Sequence, residues 1–300
     1  MAFGACAAPQ AQQKSTTRLV MNEEAHSLQF LLNEKEAFAY QFGPEFAIPH
    51  VWPLNSPSGR SLLVQKTEPF PHHRSLWIVD RVQLNDGVVT DFYHEWQNLR
   101  DKENPAAGHH SYIRHDGFSE ITDYSATAEL TWVVQEDQPV LTQTCSFEIE
   151  DQGDGQYALE MNWKLTAAFG PVTFHSDWVH YAWPYLRMDP SFSGEQGGII
   201  TSDDGRVGQK ATNEMYAAWM DYSNTIDGIT EGLTVFTPPD GKLRKWLTRE
   251  YGTFGPRRPD DLSGTKFVLQ EGESLTGSVL IFVHNGGVES ALNSDEIFFE

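Results

Sequence analysis

Cysteine is nearly missing from this chain: its 300 residues hold two, Cys6 and Cys145, too few for a disulfide framework. Basic residues are scarce too, with 21 Lys and Arg against 42 Asp and Glu and a formal net charge of -21. That balance argues against binding DNA, RNA or an anionic membrane, because any basic patch would work against the field of the whole chain. No stretch approaches the roughly 20 apolar residues that cross a bilayer as a helix, so no transmembrane segment is expected. HExxH, CxxC, a Gly-rich phosphate loop and GxSxG are also lacking. Metalloprotease, zinc-finger, nucleotide-binding and Ser/His/Asp hydrolase readings therefore have no motif behind them.

What the sequence does contain is alternation with a period of two. "QYALEMNWKL" sets Tyr157, Leu159, Met161, Trp163 and Leu165 on one face and Ala158, Glu160, Asn162 and Lys164 on the other. "LTQTCSFEIE", which places Cys145 among apolar partners, and "YSATAELTWVV" behave alike, as half-buried antiparallel strands do. Turn signals separate such runs at Asn85-Asp86-Gly87, Gly153-Asp154-Gly155, Asp203-Asp204-Gly205, Pro238-Pro239-Asp240-Gly241 and Asn285-Gly286-Gly287. "NEMYAAWMDY" fits helix and strand equally, and no internal repeat or linker is visible. The expected fold is all-β, a large antiparallel β-sandwich with its chemistry on loops or on a concave sheet face. One catalytic domain is expected over 18–300, after a leader over 1–17. In that leader, "MAFGACAAPQAQQKSTT" places small residues before Cys6 and a polar tract after it. It reads either as the end of a bacterial lipoprotein signal, with a periplasmic, cell-envelope or secreted protein following, or as a disordered leader.

Six of eleven histidines fall between His72 and His115: His72, His73, His94, His109, His110 and His115. If His73, His94 and His115 stand on neighbouring strands, three imidazoles on one face can hold a divalent metal ion with an open position, or supply a general base. His26, His50, His175 and His180 read as structural. In an extended segment His72 and His73 point to opposite faces, so only one of them would line a given cleft. A second cluster, "KLRKWLTREYGTFGPRR", gathers Lys242, Arg244, Lys245, Arg249, Arg257 and Arg258 around Trp246, Tyr251 and Phe254. Arginine grips carboxylates bidentately, and aromatic faces stack on sugar rings. Such a strip in an acidic chain would admit an anionic ligand.

"PLNSPSGRSLL", "PFPHHRSLW", "VQLNDGVVTDFYHEW", "MDYSNTIDG", "GLTVFTPPD", "WLTREYGTFGP" and "LQEGESLTGSVLIFVHNGG" together resemble the bacterial family labelled PmoA, from about Phe46 to Gly287. The label is borrowed from a methane oxygenase that needs spanning helices, which this chain lacks. Ser75 departs from the Gly that often follows His-His-Arg in the family. The resemblance implies a carbohydrate role, since such proteins accompany polysaccharide-degrading enzymes and include an oligosaccharide dehydratase of algal ulvan breakdown. More loosely, the motifs resemble the β-supersandwich of galactose mutarotases.

With that resemblance, the expected activity is β-elimination on an acidic, uronate-containing oligosaccharide by a dehydratase or a polysaccharide lyase. Arg74 and Arg249 would engage the carboxylate, and His73, His94 and His115 would act as base or metal ligands. Tyr251 or Tyr222 would be the acid, Trp246 would stack on a sugar ring, and His72 and Trp77 would help to bind substrate. Three alternatives stay open at this stage: a mutarotase or epimerase using Glu95, Asp221 or Glu250, a glycoside hydrolase with two carboxylates, and a noncatalytic carbohydrate-binding protein.

Overall fold

The computed structural model describes residues 16–94, 111–134, 137–175, 181–259, 262 and 266–292. Strands dominate them and build three antiparallel sheets. Numbered in chain order, the first sheet runs β1 (Thr17–Asn22), β2 (Ser27–Leu32), β3 (Lys35–Gln41), β4 (His50–Leu54), β5 (Leu76–Trp77), β13 (Tyr185–Arg187), β18 (Thr253–Pro256) and β17 (Trp246–Thr248). The second runs β14 (Ile199–Ser202), β15 (Trp219–Ile226), β16 (Ile229–Phe236), β20 (Ser274–Asn285), β11 (Gln156–Thr166), β10 (Gln138–Gly153), β9 (Ser125–Val134) and β8 (Ser111–Ile121). A smaller sheet joins β19 (Lys266–Leu269), β12 (Val172–His175), β6 (Arg81–Leu84) and β7 (Thr90–Asp91). The expected all-β sandwich is what forms.

Alternation explains why the two large sheets face each other. On β10 and β11 the buried residues are Cys145, Phe147 and Ile149, and Leu159, Met161 and Leu165, while the residues between them are more exposed. These pack on Phe30 and Phe38 of the first sheet, which stack with ring centroids 4.2 Å apart. Burying each such ring stabilises the fold by about 1.5–3 kcal/mol. Tyr157 ties the layers together directly, because its hydroxyl reaches the carbonyls of Ala37 and Asn55, both at 2.9 Å. Burial also pushes the Cys145 thiol well above its ordinary pKa, so this cysteine is an inert core group.

The small sheet is held against the first one by a buried cation. Arg258 pairs with Asp80 at 3.4 Å and lies over the rings of Phe267, at 4.8 Å, and Trp183, at 5.1 Å. Phe267 in turn stacks on Phe174, joining β19 to β12. This arrangement sets β7, and the residues just beyond it, beside β5 and β13.

Two expectations need adjusting. The ambiguous segment 213–222 is not one element: a four-residue helix, α1 (Gln209–Thr212), precedes it and β15 begins within it at Trp219. The leader assigned to 1–17 lies outside the described residues up to position 15, and Thr17 already pairs with Leu32.

The inter-sheet contacts yield a stability prediction. Tyr157→Phe is expected to cost about 1–2 kcal/mol through loss of the hydroxyl that bridges the Ala37 and Asn55 carbonyls, and Phe147→Ala about 3–5 kcal/mol through the cavity it leaves. Urea unfolding checks both, and equal midpoints for the two variants would contradict this packing.

Candidate functional site

Strand register builds the floor of the site. Leu186 of β13 stands between Leu76 and Phe254, and all three side chains enter the sandwich core. Their neighbours in the chain therefore share the opposite face. Trp77 pairs with Tyr185, their rings stacked 5.0 Å apart, and Arg187 pairs with Thr253. Gly252, at φ +100°, lets the chain turn tightly at Tyr251, where an added Cβ would meet Met188 at 3.1 Å. That turn lays the Tyr251 ring 4.7 Å from the Arg187 guanidinium, and the Tyr251 carbonyl accepts a hydrogen bond from Arg187 Nη1.

The wall comes from the His-His-Arg segment and from the residues after β7. The chain closes on itself at 67–73, with His73 N–H donating to the Phe70 carbonyl at 2.9 Å and Lys66 N–H donating to the His73 carbonyl at 3.0 Å. This turn, unlike an extended segment, brings both histidines to one side. The His72 ring lies 4.7 Å from His73, 4.8 Å from His94 and 5.1 Å from Tyr93. Phe70 stacks on His73 and sits 5.2 Å from Tyr251, closing the ring of side chains.

Two short hydrogen bonds organise these groups. Tyr93 Oη and His73 Nε2 are 2.7 Å apart, with His73 Nδ1 3.5 Å from Thr253 Oγ1. With the Nδ1 proton on the threonine side, Nε2 accepts from the phenol. His94 Nδ1 lies 2.8 Å from Asp91 Oδ2, which fixes the ring and leaves Nε2 as the free nitrogen. Burial lowers the His73 pKa to about 2, helped by the charges of His72 and Arg187, and lowers His72 to about 4, helped by His94. Burial raises the Tyr93 phenol above its ordinary value, and Tyr251 adds to that. Asp91 is pushed up by burial, yet the His94 hydrogen bond, the His94 charge and Arg81 hold it below the usual carboxylate range. At neutral pH the site thus holds neutral His72 and His73, a protonated Tyr93 and an ionised Asp91.

Arg187 is the unusual member. It is 3% exposed, its Nε has no acceptor, and among the described residues no carboxylate pairs with it. Burial lowers its pKa, opposed mainly by Tyr251 and Tyr222. An unpaired guanidinium held out of water is costly, and an anionic ligand is the natural way to offset that cost.

The structure thus gathers His72, His73, His94 and Tyr251 and adds Tyr93, Asp91 and Arg187, which the sequence reading did not single out. "YLRMD" carries a signal for Arg187 that the sequence reading passed over, namely a basic residue set directly between Leu186 and Met188. Several expected residues lie elsewhere or cannot act as expected. His115 stands apart on β8, packed against Phe42 at 4.4 Å and Phe118 at 4.6 Å, so it cannot complete a three-histidine site with His73 and His94. Among the described residues no group of three His, Cys, Asp or Glu side chains could hold a metal ion.

Trp246 is 0% exposed, with its indole N–H donating to the Ala217 carbonyl, and cannot stack on a ligand. Trp77, 1% exposed, supports His73 from beneath and offers no open face to a substrate. The Tyr222 hydroxyl accepts from Gly194 N–H at 2.7 Å and donates to the Glu250 carbonyl at 3.1 Å, and burial pushes its pKa up to about 12. It is occupied as a brace. Arg249 donates to Asn213 Oδ1 at 2.6 Å and to the Thr248 carbonyl. Arg74 is fully buried, and its charge acts on the buried His50 as well as on His72. Asp221 is sealed with His284, 2.8 Å away, and Ser223, so it is not open to an epimerase role. Glu95, His109, His110 and His180 lie outside the described residues, as does Cys6.

The chain belongs to the family described as "Family of unknown function (DUF6807)", whose model matches residues 27–297. No curated protein matches it in sequence. Among solved structures it is similar to a GH36 α-galactosidase from Geobacillus stearothermophilus, at 10% identity and TM-score 0.46, covering 90% of this chain and 41% of that one. A polysaccharide lyase matches at 11% identity and TM-score 0.40, over 93% of this chain and 34% of the other. A galactose mutarotase related enzyme from Lactobacillus acidophilus matches at 12% identity and TM-score 0.39, over 89% and 97% of the two chains. The chain thus spans about two fifths of the length of the α-galactosidase.

The histidines predict an acid-side loss of stability. His50, His72, His73 and His115 all have folded pKa values below 6.5, at about 3, 4, 2 and 4. The unfolded chain therefore binds more protons below that point, so their stabilisation is complete above pH 6.5 and is lost as pH falls below it. Urea midpoints are expected to be level from pH 8 to about 7 and to decline between about 6.5 and 5. His50→Gln should flatten that decline, and an unchanged slope would refute the assignment.

Proposed function

We propose that this member of the DUF6807 family is a carbohydrate-active enzyme that performs β-elimination on a uronate-containing oligosaccharide. The observation that carries the reading is the buried Arg187, which has no carboxylate partner among the described residues, set beside the Tyr93–His73 pair and the Asp91–His94 pair. A uronate carboxylate docked on Arg187 makes its C5 proton more acidic, because fixed positive charge stabilises the enolate-like dianion that forms. His94, oriented by Asp91, takes the C5 proton through Nε2. Electrons from that bond form the C4–C5 double bond as the C4–O bond breaks, and Tyr93 protonates the leaving oxygen. One proton is taken and one given, so the sugar gains no charge. Before that transfer His73 Nε2 holds the Tyr93 hydroxyl in place.

The carboxylate role thus moves from Arg74 and Arg249 to Arg187, and the acid role from Tyr222 and Tyr251 to Tyr93. Tyr251 shields the guanidinium from above. If water leaves, the enzyme is a dehydratase; if a sugar hydroxyl leaves, it is a lyase, and the oligosaccharides of ulvan suit either. The glycoside hydrolase alternative finds less support, because among the described residues Asp91 is the carboxylate in contact with this cluster and it is already engaged by His94 and Arg81. The reading also includes the envelope location expected from the segment around Cys6.

Incubation with ulvan-derived oligosaccharides, followed by ultraviolet absorbance and product mass, tests the reaction. New enoate absorbance with loss of water means dehydratase, and the same absorbance with chain cleavage means lyase. Tyr93→Phe and His94→Ala should each lower kcat by about 10²–10⁴-fold, and Arg187→Gln by about 10³-fold, with circular dichroism unchanged. Folded variants that retain full turnover, or silence of the wild type across uronate substrates, would sink the proposal.

A further inference from the structure

The second large sheet carries a groove of about 590 Å³ that shares no residue with the cluster around Arg187. A volume of this order suits a small ligand. Its floor follows from strand register. Thr127, Ser146, Asn162 and Ser278 are paired in a row across β9, β10, β11 and β20. Glu129, Thr144, Lys164 and Thr276 form the next row on the same face. Because their neighbours Cys145, Phe147, Met161 and Val279 enter the core, this face is turned away from it. The groove floor is thus a flat surface of hydroxyl and amide groups with Lys164, bordered on the same face by Glu129, Glu148 and Glu160, a polar pattern that matches the hydroxyls of a sugar rather than an apolar partner.

A loop from Pro238 to Arg244 forms one wall. Arg244 is committed to Asp240, at 2.6 Å, so it braces the loop and contributes little free charge. Lys164 and Lys242 differ, since among the described residues neither is held in an ion pair although the chain as a whole carries -21. Trp163 borders the groove through its position between Asn162 and Lys164, while its ring packs on the core side with Met161 and Leu165. The absence of a side chain at Gly277 makes room for that ring, as a Cβ there would lie 2.3 Å from Cζ2.

We infer that this groove is a second carbohydrate site, which holds an acidic polysaccharide chain through its hydroxyls and carboxylates at a place distinct from the reacting cluster. The ligand class rests on the uronate reading proposed above; the groove itself does not. Hydroxyl and amide side chains meet the sugar hydroxyls, while Lys164 and Lys242 meet the negative groups. A distinct site of this kind would keep a long polymer near the enzyme between turnovers.

Affinity electrophoresis through gels cast with ulvan, polygalacturonate or a neutral glucan tests it. Wild type should be retarded by at least one acidic polymer and not by the glucan. Lys164→Ala/Lys242→Ala should weaken that retention by about tenfold, the loss of two modest charge contacts, and Lys164→Arg/Lys242→Arg should restore it. The control Lys35→Ala/Lys210→Ala, which removes the same charge elsewhere, should behave as wild type. Retention that survives in the first variant, falls equally in the control, is as strong on the glucan, or is absent for wild type on every acidic polymer overturns the inference. Retention is read without turnover, so an enzyme inactive on uronates can still show the groove, and an active one can still lack it.

Discussion

A positive charge kept out of water, with no carboxylate paired to it among the described residues, is the constraint around which this site is arranged. Arg187 sits on a strand whose other residues fill the core, and the β5–β13–β18 register leaves its side chain on the opposite face. Tyr251 covers the guanidinium and His73 lies within reach of its field. A carboxylate at this place would neutralise the charge and close the site. Instead the nearest hydrogen-bonding partner is a carbonyl, which leaves the charge available to a ligand.

The same burial tunes the surrounding groups. Desolvation keeps His72 and His73 neutral, so they add no further positive charge next to Arg187 and remain able to accept protons or hydrogen bonds. Asp91 is the exception that stays ionised, because His94 and Arg81 outweigh the penalty of its burial. Two histidines from a turn and one from beyond β7 thus take different roles through their partners alone. The Arg258–Asp80 pair matters here at a distance, since it holds the small sheet that carries Asp91.

Much of the fold was legible in the chain. The alternation in "QYALEMNWKL" and "LTQTCSFEIE" appears as β11 and β10, because a strand with one face in a core must alternate. Asp154 and Gly155 turn between them, with positive φ at both positions. The site was legible only where residues are close in sequence: "PFPHHRSLW" supplies His72 and His73, and "DFYHEW" supplies Tyr93 and His94. Trp246 and Tyr222 read as a stacking ring and a proton donor, but one is enclosed in the core and the other is spent on backbone groups. Their side-chain types suit such roles, but their directions do not.

By itself, then, the sequence determined the class of architecture and the positions of its turns, since hydrophobic period and local motifs are properties of neighbouring residues. Only the tertiary structure decided that Arg187 meets Tyr93 and His94 while His115 does not. Which strands lie side by side, and in which register, depends on contacts between residues far apart in the chain, and one step of register turns a side chain from the site into the core.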